Sequence, residues 1–277
     1  MSYEIKKYPD GSQYVKVNEF VSEIKFNINS YEDLWTLNQI KDVYDHNHQE
    51  VGLYIPCLID AQADKRFNYN ESSGLKLVCG FINSMNFKYV KVFHPHNPEI
   101  VEALLDNLQI IDNTYFVKEV LSEIYCKEKN IERDKGYFYH TQKELYDNLI
   151  LFSSDAGGFK PLMKLCDKIN WRGETYGASK SRKYEGGESK LIQEIDREDF
   201  NCKDILIVDD ICVYGGTFVG LAKMLKKRNC GKLYLATSHI SVSKPNDELS
   251  VLYDDIFTTN SKDILYFDYN IKCLKLI

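Results

Sequence analysis

The sequence predicts an α/β protein with mostly parallel sheets flanked by helices, divided into two domains, 1–145 and 146–277. Three observations carry this. Residues 205–208, Ile-Leu-Ile-Val, form a short continuous apolar run, the pattern of a parallel strand covered on both faces. The run ends in Asp209-Asp210, and Gly215-Gly216-Thr217 then leads into a helical segment at 218–229. A second strand, acid, Gly-Gly, helix series occurs at 149–169, and a βα rhythm also runs through the first half.

Taken in order, Pro9-Asp10-Gly11 signals a turn before a strand at 14–17. Ser30, with Asp33 three residues on, is a candidate N-cap for a helix over 30–45. A buried strand is predicted at 51–58, a helix at 72–85 from the spacing of Leu75, Val78, Phe81 and Ile82, a strand at 89–93 and a short helix at 98–107. The charged stretch 127–134 interrupts the pattern as an exposed helix or an insertion. The second cycle has a strand at 149–153 and a helix at 159–169. Residues 177–190 are polar, basic and glycine-bearing without an apolar period, which predicts a mobile loop. Strands at 205–208, 232–238, 256–259 and 264–267 complete the domain.

Composition limits the function. With 277 residues, 44% of them hydrophobic, the chain can bury a core in each domain. A net charge of −6 supplies no global basic field for nucleic acid, so an anionic substrate needs a local patch such as Lys180, Arg182 and Lys183. The eight cysteines contain no Cys-x-x-Cys pair, which argues against a zinc ribbon. No apolar run approaches the ~20 residues of a membrane span, and the first residues, Met-Ser-Tyr-Glu-Ile-Lys-Lys, show no signal region. A cytoplasmic protein is expected.

The chemistry-bearing residues cluster at predicted strand ends, where open α/β sheets bind ligands. Asp209 and Asp210 can accept hydrogen bonds from sugar hydroxyls or help hold Mg²⁺. Glycines 215 and 216 let backbone N–H groups approach a phosphate at a helix N-terminus. Ser153-Ser154-Asp155-Ala156-Gly157-Gly158 repeats the arrangement as a second phosphate- or metal-binding turn. Lys180-Ser181-Arg182 places two cations one residue apart, suited to stabilising phosphoryl-transfer charge. His94-Pro95-His96 sits at another strand end.

The 204–217 segment resembles the PRPP loop shared by type I phosphoribosyltransferases and ribose-phosphate diphosphokinases, the PRPP synthetases. The remaining motifs resemble the diphosphokinases. Ser154–Gly158 is similar to their Pro-Asp-x-Gly-Gly block, Lys180-Ser181-Arg182 to their catalytic Lys-x-Arg, and His96 to the histidine of their Asp-x-His. Tyr8-Pro9-Asp10-Gly11 resembles their adenine-contacting Phe-x-Asp-Gly-Glu. Tyr54–Cys57, Asp60–Arg66, Leu75-Lys76 and Ile82-Asn83 follow the family's order.

The resemblance implies two tandem phosphoribosyltransferase-like (type I) domains and an ATP-dependent diphosphokinase that uses Mg²⁺ and makes PRPP from ribose 5-phosphate. It implies catalytic roles for Lys180 and Arg182, substrate binding by Asp209, Asp210, Tyr214, Gly215, Gly216 and Thr217, and ATP binding by Tyr8, Asp10, Gln62, Asp64, Arg66 and His96. Metal binding falls to His96 and Asp155. An adenine site shared between subunits implies a homodimer or a larger homo-oligomer.

The departures are specific. Gln62 and Ala63 stand where the family has Arg-Gln, Ser12 replaces a glutamate, His94 an aspartate, Pro161 an arginine, Val213 an acid and Tyr214 a threonine. The family's usual first βα unit has no counterpart before Tyr8. The altered cradle leaves ADP-ribose open as an alternative acceptor, giving ADP-ribose 1-pyrophosphate in NAD metabolism. The changes at the ATP motifs leave open an inactive regulatory relative.

Overall fold

The computed structural model describes residues 1–66, 68–132, 145–185, 188–241, 247–262 and 271–275, with the side chains of 180–193 and 247 outside that set. The chain forms two compact units, Met1–Asp112 and Asn113–Ile277.

The first unit opens with an antiparallel hairpin, β1 (Tyr3–Lys7) and β2 (Gln13–Val17), turning at Gly11 with φ +88°. A four-stranded parallel sheet follows in the order β3-β4-β5-β6, comprising β3 (Glu23–Lys25), β4 (Gly52–Ile55), β5 (Val90–Phe93) and β6 (Leu108–Ile111). Three helices connect the strands: α1 (Tyr31–His46), α2 (Gly74–Ser84) and α3 (Pro98–Leu104). The start of α1 is fixed as the sequence suggests. Ser30 Oγ accepts from the Asp33 N–H at 3.2 Å and Asp33 Oδ2 accepts from the Ser30 N–H at 2.8 Å, a reciprocal capping box. Leu37, Ile40 and Tyr44 of α1 and Leu75, Cys79 and Ile82 of α2 bury themselves with Ile24, Leu53, Ile55 and Val92 of the sheet.

The second unit is a six-stranded parallel sheet in the order β14-β13-β12-β11-β7-β8. Its strands are β7 (Leu149–Ser153), β8 (Thr175–Gly177), β11 (Asp204–Cys212), β12 (Leu233–Ile240), β13 (Asp255–Thr259) and β14 (Ile271–Leu274). Helices α4 (Thr114–Lys129), α5 (Ala156–Ile169), α6 (Gly216–Lys227) and α7 (Asp247–Leu252) accompany it. Strands β7, β12 and β13 are buried along their whole length, which explains why apolar and small residues dominate them.

Three features differ from the sequence reading. The division between units falls at 112/113, not 145/146, because α4 packs on α5 and β12 and ties Lys127 Nζ to Asp255 Oδ2 at 2.5 Å. Residues predicted as a loop over 177–190 include an antiparallel hairpin, β9 (Ser179–Glu185) with β10 (Glu188–Glu194), since a backbone ladder needs no apolar period to form. The helix predicted over 98–107 ends at Leu104, and β6 begins four residues later. The strand predicted at 264–267 and residues 133–134 of the charged stretch lie outside the described residues. Among the described residues no helix is long and apolar enough to cross a membrane.

Ser30→Ala should lower unfolding free energy by about 1 kcal/mol, through loss of the capping hydroxyl. Urea denaturation would show the midpoint fall with an unchanged slope; an unchanged midpoint would mean that the box contributes nothing.

Candidate functional site

In the second unit, β7 leads by α5 to β8 on one side, while β11 pairs on its other side. The order of the sheet therefore reverses around β7. The carboxyl ends of β7 and β11 flank the crevice where such sheets take ligands.

At the end of β7, Asp155 caps α5, with Oδ1 accepting from the Gly158 N–H at 2.9 Å. Ser153 Oγ donates to the Asp155 carbonyl at 2.7 Å. A Cβ at Gly158 would stand 2.8 Å from that serine oxygen, so the second glycine of the turn is there for close approach. Ser154 reaches across to β11, its hydroxyl donating to Asp209 Oδ2. Asp209 Oδ1 accepts the Asp210 N–H at 2.8 Å.

Both acids lie inside β11, half-buried, rather than in the loop after it. Burial and the neighbouring Asp210 charge push Asp209 up to about 7, against the lowering pull of its Ser154 hydrogen bond. A cation between the two acids would relieve that repulsion. Magnesium takes oxygen ligands, commonly one or two carboxylates with phosphates and water completing the shell. The adjacent carboxylates of Asp209 and Asp210 supply oxygen ligands of that kind. Among the described residues no group of three or more His, Cys, Asp or Glu forms a ready-made metal cage.

After β11 the two glycines differ. Gly215 is buried with φ +76°, and any side chain there would run into Leu249 of α7. Burial pushes the nearby Cys212 thiol up to about 12. Gly216 is exposed with open space around its α-carbon, Thr217 is half-buried, and Tyr214 is 83% exposed. The face open to a ligand is thus Tyr214, Gly216 and Thr217, with Gly215 shaping it from behind.

The backbone register sets Lys180 opposite Gln193 and Arg182 opposite Leu191. The side chains of Lys180 and Arg182 lie outside the described residues.

In the first unit, the loops after β4 and β5 meet. Asn97 Nδ2 donates to Asp64 at 3.1 Å while Asn97 Oδ1 caps α3 by accepting the Ile100 N–H. His96 is exposed just ahead of that cap, and Gln62 and Arg66 are exposed on the β4 loop. His94 takes a left-handed conformation, φ +39°, to turn the chain out of β5. Tyr8 and Asp10 sit at the tip of the β1–β2 hairpin. Asp10 accepts from the Ser12 hydroxyl at 2.6 Å and its N–H at 2.9 Å, which hold its carboxyl below the usual range. The sequence places Ser154 in the second glycine turn but gives it no role of its own; its bond to Asp209 follows from the parallel pairing of Ser153 with Val208, which no local pattern reveals.

A phosphoribosyl transferase domain model matches residues 130–270. Along almost its full length the chain is similar to the ribose-phosphate pyrophosphokinase of Saccharolobus solfataricus, 20% identical over 280 residues that cover 96% of this chain and 88% of the relative. The enzyme of that name from Pyrococcus abyssi is 24% identical over 285 residues, covering 98% and 90%. The fold matches the crystal structure of phosphoribosylpyrophosphate synthetase from Mycobacterium smegmatis with a TM-score of 0.74 at 16% identity, over 99% of this chain and 86% of that one.

Asp209→Asn should separate stability from binding. A carboxyl raised by the fold stabilises the native state below its ordinary range, near 4, and that contribution is lost as pH rises through about 7. The asparagine variant should therefore match the wild type near pH 4 and exceed it by at least about 1 kcal/mol at pH 8. Equal melting curves at both pH values would refute the charge repulsion. Gly215→Ala should cost about 2 kcal/mol or more from backbone strain and the Leu249 contact, while Gly216→Ala should change thermal stability little.

Proposed function

The chain belongs to the phosphoribosyl transferase domain family, and from that premise we propose that it transfers a pyrophosphoryl group from MgATP to the anomeric hydroxyl of ribose 5-phosphate, making PRPP. The observation that carries the reading is the Ser154–Asp209 hydrogen bond, which joins two strand–acid–helix turns at the point where the sheet order reverses.

The anomeric oxygen attacks the β-phosphorus of ATP. The bond from that phosphorus to the bridging oxygen of the α-phosphate breaks, AMP leaves, and the hydroxyl proton passes to solvent. Asp209 and Asp210 accept hydrogen bonds from the ribose hydroxyls and orient the nucleophile. Ser154 holds Asp209 in place. Tyr214, Gly216 and Thr217 cradle the 5-phosphate at the N-terminus of α6, where the helix dipole favours an anion. Lys180 and Arg182 stabilise charge on the migrating group. Gln62, Asp64 and Arg66 bind the nucleotide together with Tyr8 and Asp10, with the hairpin tip serving a neighbouring subunit of a homo-oligomer. His96 and Asp155 meet the metal–phosphate region. Bound Mg²⁺ would neutralise charge on the transferring phosphates.

Incubation with MgATP and ribose 5-phosphate should release AMP and yield a product heavier than the acceptor by one diphosphate; absence of AMP release would leave the regulatory reading in place. Lys180→Ala should lower turnover about 10²–10³-fold with an unchanged melting temperature, and near-normal turnover would remove the hairpin from the mechanism.

A second acceptor, ADP-ribose, is favoured by the exposure of Tyr214 beside the cradle. An aromatic face there offers stacking to an adenine beyond the first phosphate. Tyr214→Ala should then reduce ADP-ribose turnover at least tenfold while ribose 5-phosphate turnover falls little. Equal losses, or no ADP-ribose turnover in the wild type, would exclude this acceptor.

A further inference from the structure

A cavity of about 430 Å³ opens between α1 and α2 in the first unit, apart from the residues given roles above. Its walls are apolar and aromatic: Trp35 is 51% exposed, Tyr31 64% and Leu77 67%, with Phe81 half-buried behind them. Three large exposed apolar side chains thus converge on one hollow, the kind of patch that marks a binding site.

One charged group lines it. Asp60 follows β4 in a left-handed conformation, φ +58°, and is half-buried. Its Oδ2 accepts the Tyr31 hydroxyl at 2.8 Å. The backbone around it is fixed: the Ala63 N–H donates to the Asp60 carbonyl at 2.8 Å, and the Leu75 N–H at the start of α2 donates to the Ala63 carbonyl at 3.3 Å. Gly74 opposite must lack a side chain, since a Cβ would stand 2.6 Å from Asp60 Oδ2. The carboxylate is therefore held against the hollow by sequence choices on three segments. Among the described residues no Lys, Arg or His forms an ion pair with it.

A ligand for this cavity must present hydrogen-bond donors, because an ionised carboxylate only accepts. It must present an apolar or aromatic body to Trp35, Leu77 and Phe81. A positive charge is favoured twice, by the uncompensated carboxylate and by the electron-rich faces of Trp35 and Tyr31. Anionic ligands are disfavoured, since among the described residues no cation lines the walls. A cavity of this volume lies in the range of small-molecule sites.

We propose that the α1–α2 cavity is a binding site for a small organic cation, an amine carried on an apolar or aromatic body, with Asp60 receiving the ammonium and Trp35 and Tyr31 contacting the body. The site does not depend on the transferase reading, and its test uses no turnover.

Phenethylamine and 3-phenylpropionate share a body and differ in the sign of the head group. Titrated into the full chain and followed by Trp35 fluorescence and by calorimetry, phenethylamine should give a saturable response at least ten times tighter than 3-phenylpropionate. Trp35→Phe should abolish the fluorescence response. Asp60→Asn should weaken amine binding at least tenfold; asparagine tolerates the left-handed conformation and can still accept the Tyr31 hydroxyl, so the fold is retained. Equal affinity for the two probes, unchanged affinity in Asp60→Asn, or no saturable response would overturn the site. So would a Trp35 signal that follows protein concentration and not amine concentration, which would make the groove a contact between copies of the chain.

Discussion

The hydrogen bond from Ser154 to Asp209 is the contact on which the candidate site of the second unit depends. It links the end of β7 to the middle of β11, the two strands between which the sheet changes direction. Everything around it serves to bring those ends together. The apolar runs Leu149–Phe152 and Ile205–Val208 bury the strands side by side in parallel register, Val208 against Ser153. That register places Ser154 beside Asp209. The carboxylate is left partly buried next to a second one, an arrangement unfavourable for packing alone. A protein that keeps two acids so placed gains from it only when something cationic or hydroxyl-rich sits between them.

The same logic resolves a tension in the charge. The chain is acidic overall, net −6, yet the proposed substrates are anions. Two acids beside a phosphate cradle would repel the substrate were their charge not spent on a metal ion or on ribose hydroxyls. On the proposed reading the positive character needed for phosphate would come from local sources: the N-terminus of α6 behind Gly216, and the Lys180–Lys183 stretch of the β9–β10 hairpin. The two signs are then separated, acids on β11 and cations on the β9–β10 hairpin, so that each would meet a different part of the substrate.

How far the sequence foretold this depends on what kind of signal each residue gives. Ile205–Val208 and Leu149–Phe152 were legible because a strand covered on both faces needs an unbroken apolar run. Ser30 and Asp33 were legible because a capping box is a local device. Helix α4 has Phe116, Val117, Val120, Leu121 and Ile124 at helical spacing, but its tail from Lys127 onward has the charged composition of a solvent-exposed segment. That tail is anchored through Lys127 to Asp255, a partner 128 residues away that no local pattern reveals. Strand pairing of β9 with β10 was hidden for a similar reason. Polar strands are held by backbone hydrogen bonds, and those leave no periodic trace in the side chains. For the site, the acids and glycines were legible as types, while their orientation was not.

Gly215 and Gly216 show why orientation matters most. In the sequence they are one motif, two adjacent residues without side chains ahead of a helix. In the structure the first is turned inward, left-handed, against Leu249. The second faces open space at the first turn of α6. One glycine is required by the backbone and by packing, and the other is free to let a ligand approach. Substituting the first perturbs the fold, so its loss of function would say little about the acceptor. The residue that can report on acceptor size is the exposed neighbour, Tyr214, because its ring is in solvent beside Gly216 and can be removed without disturbing the core.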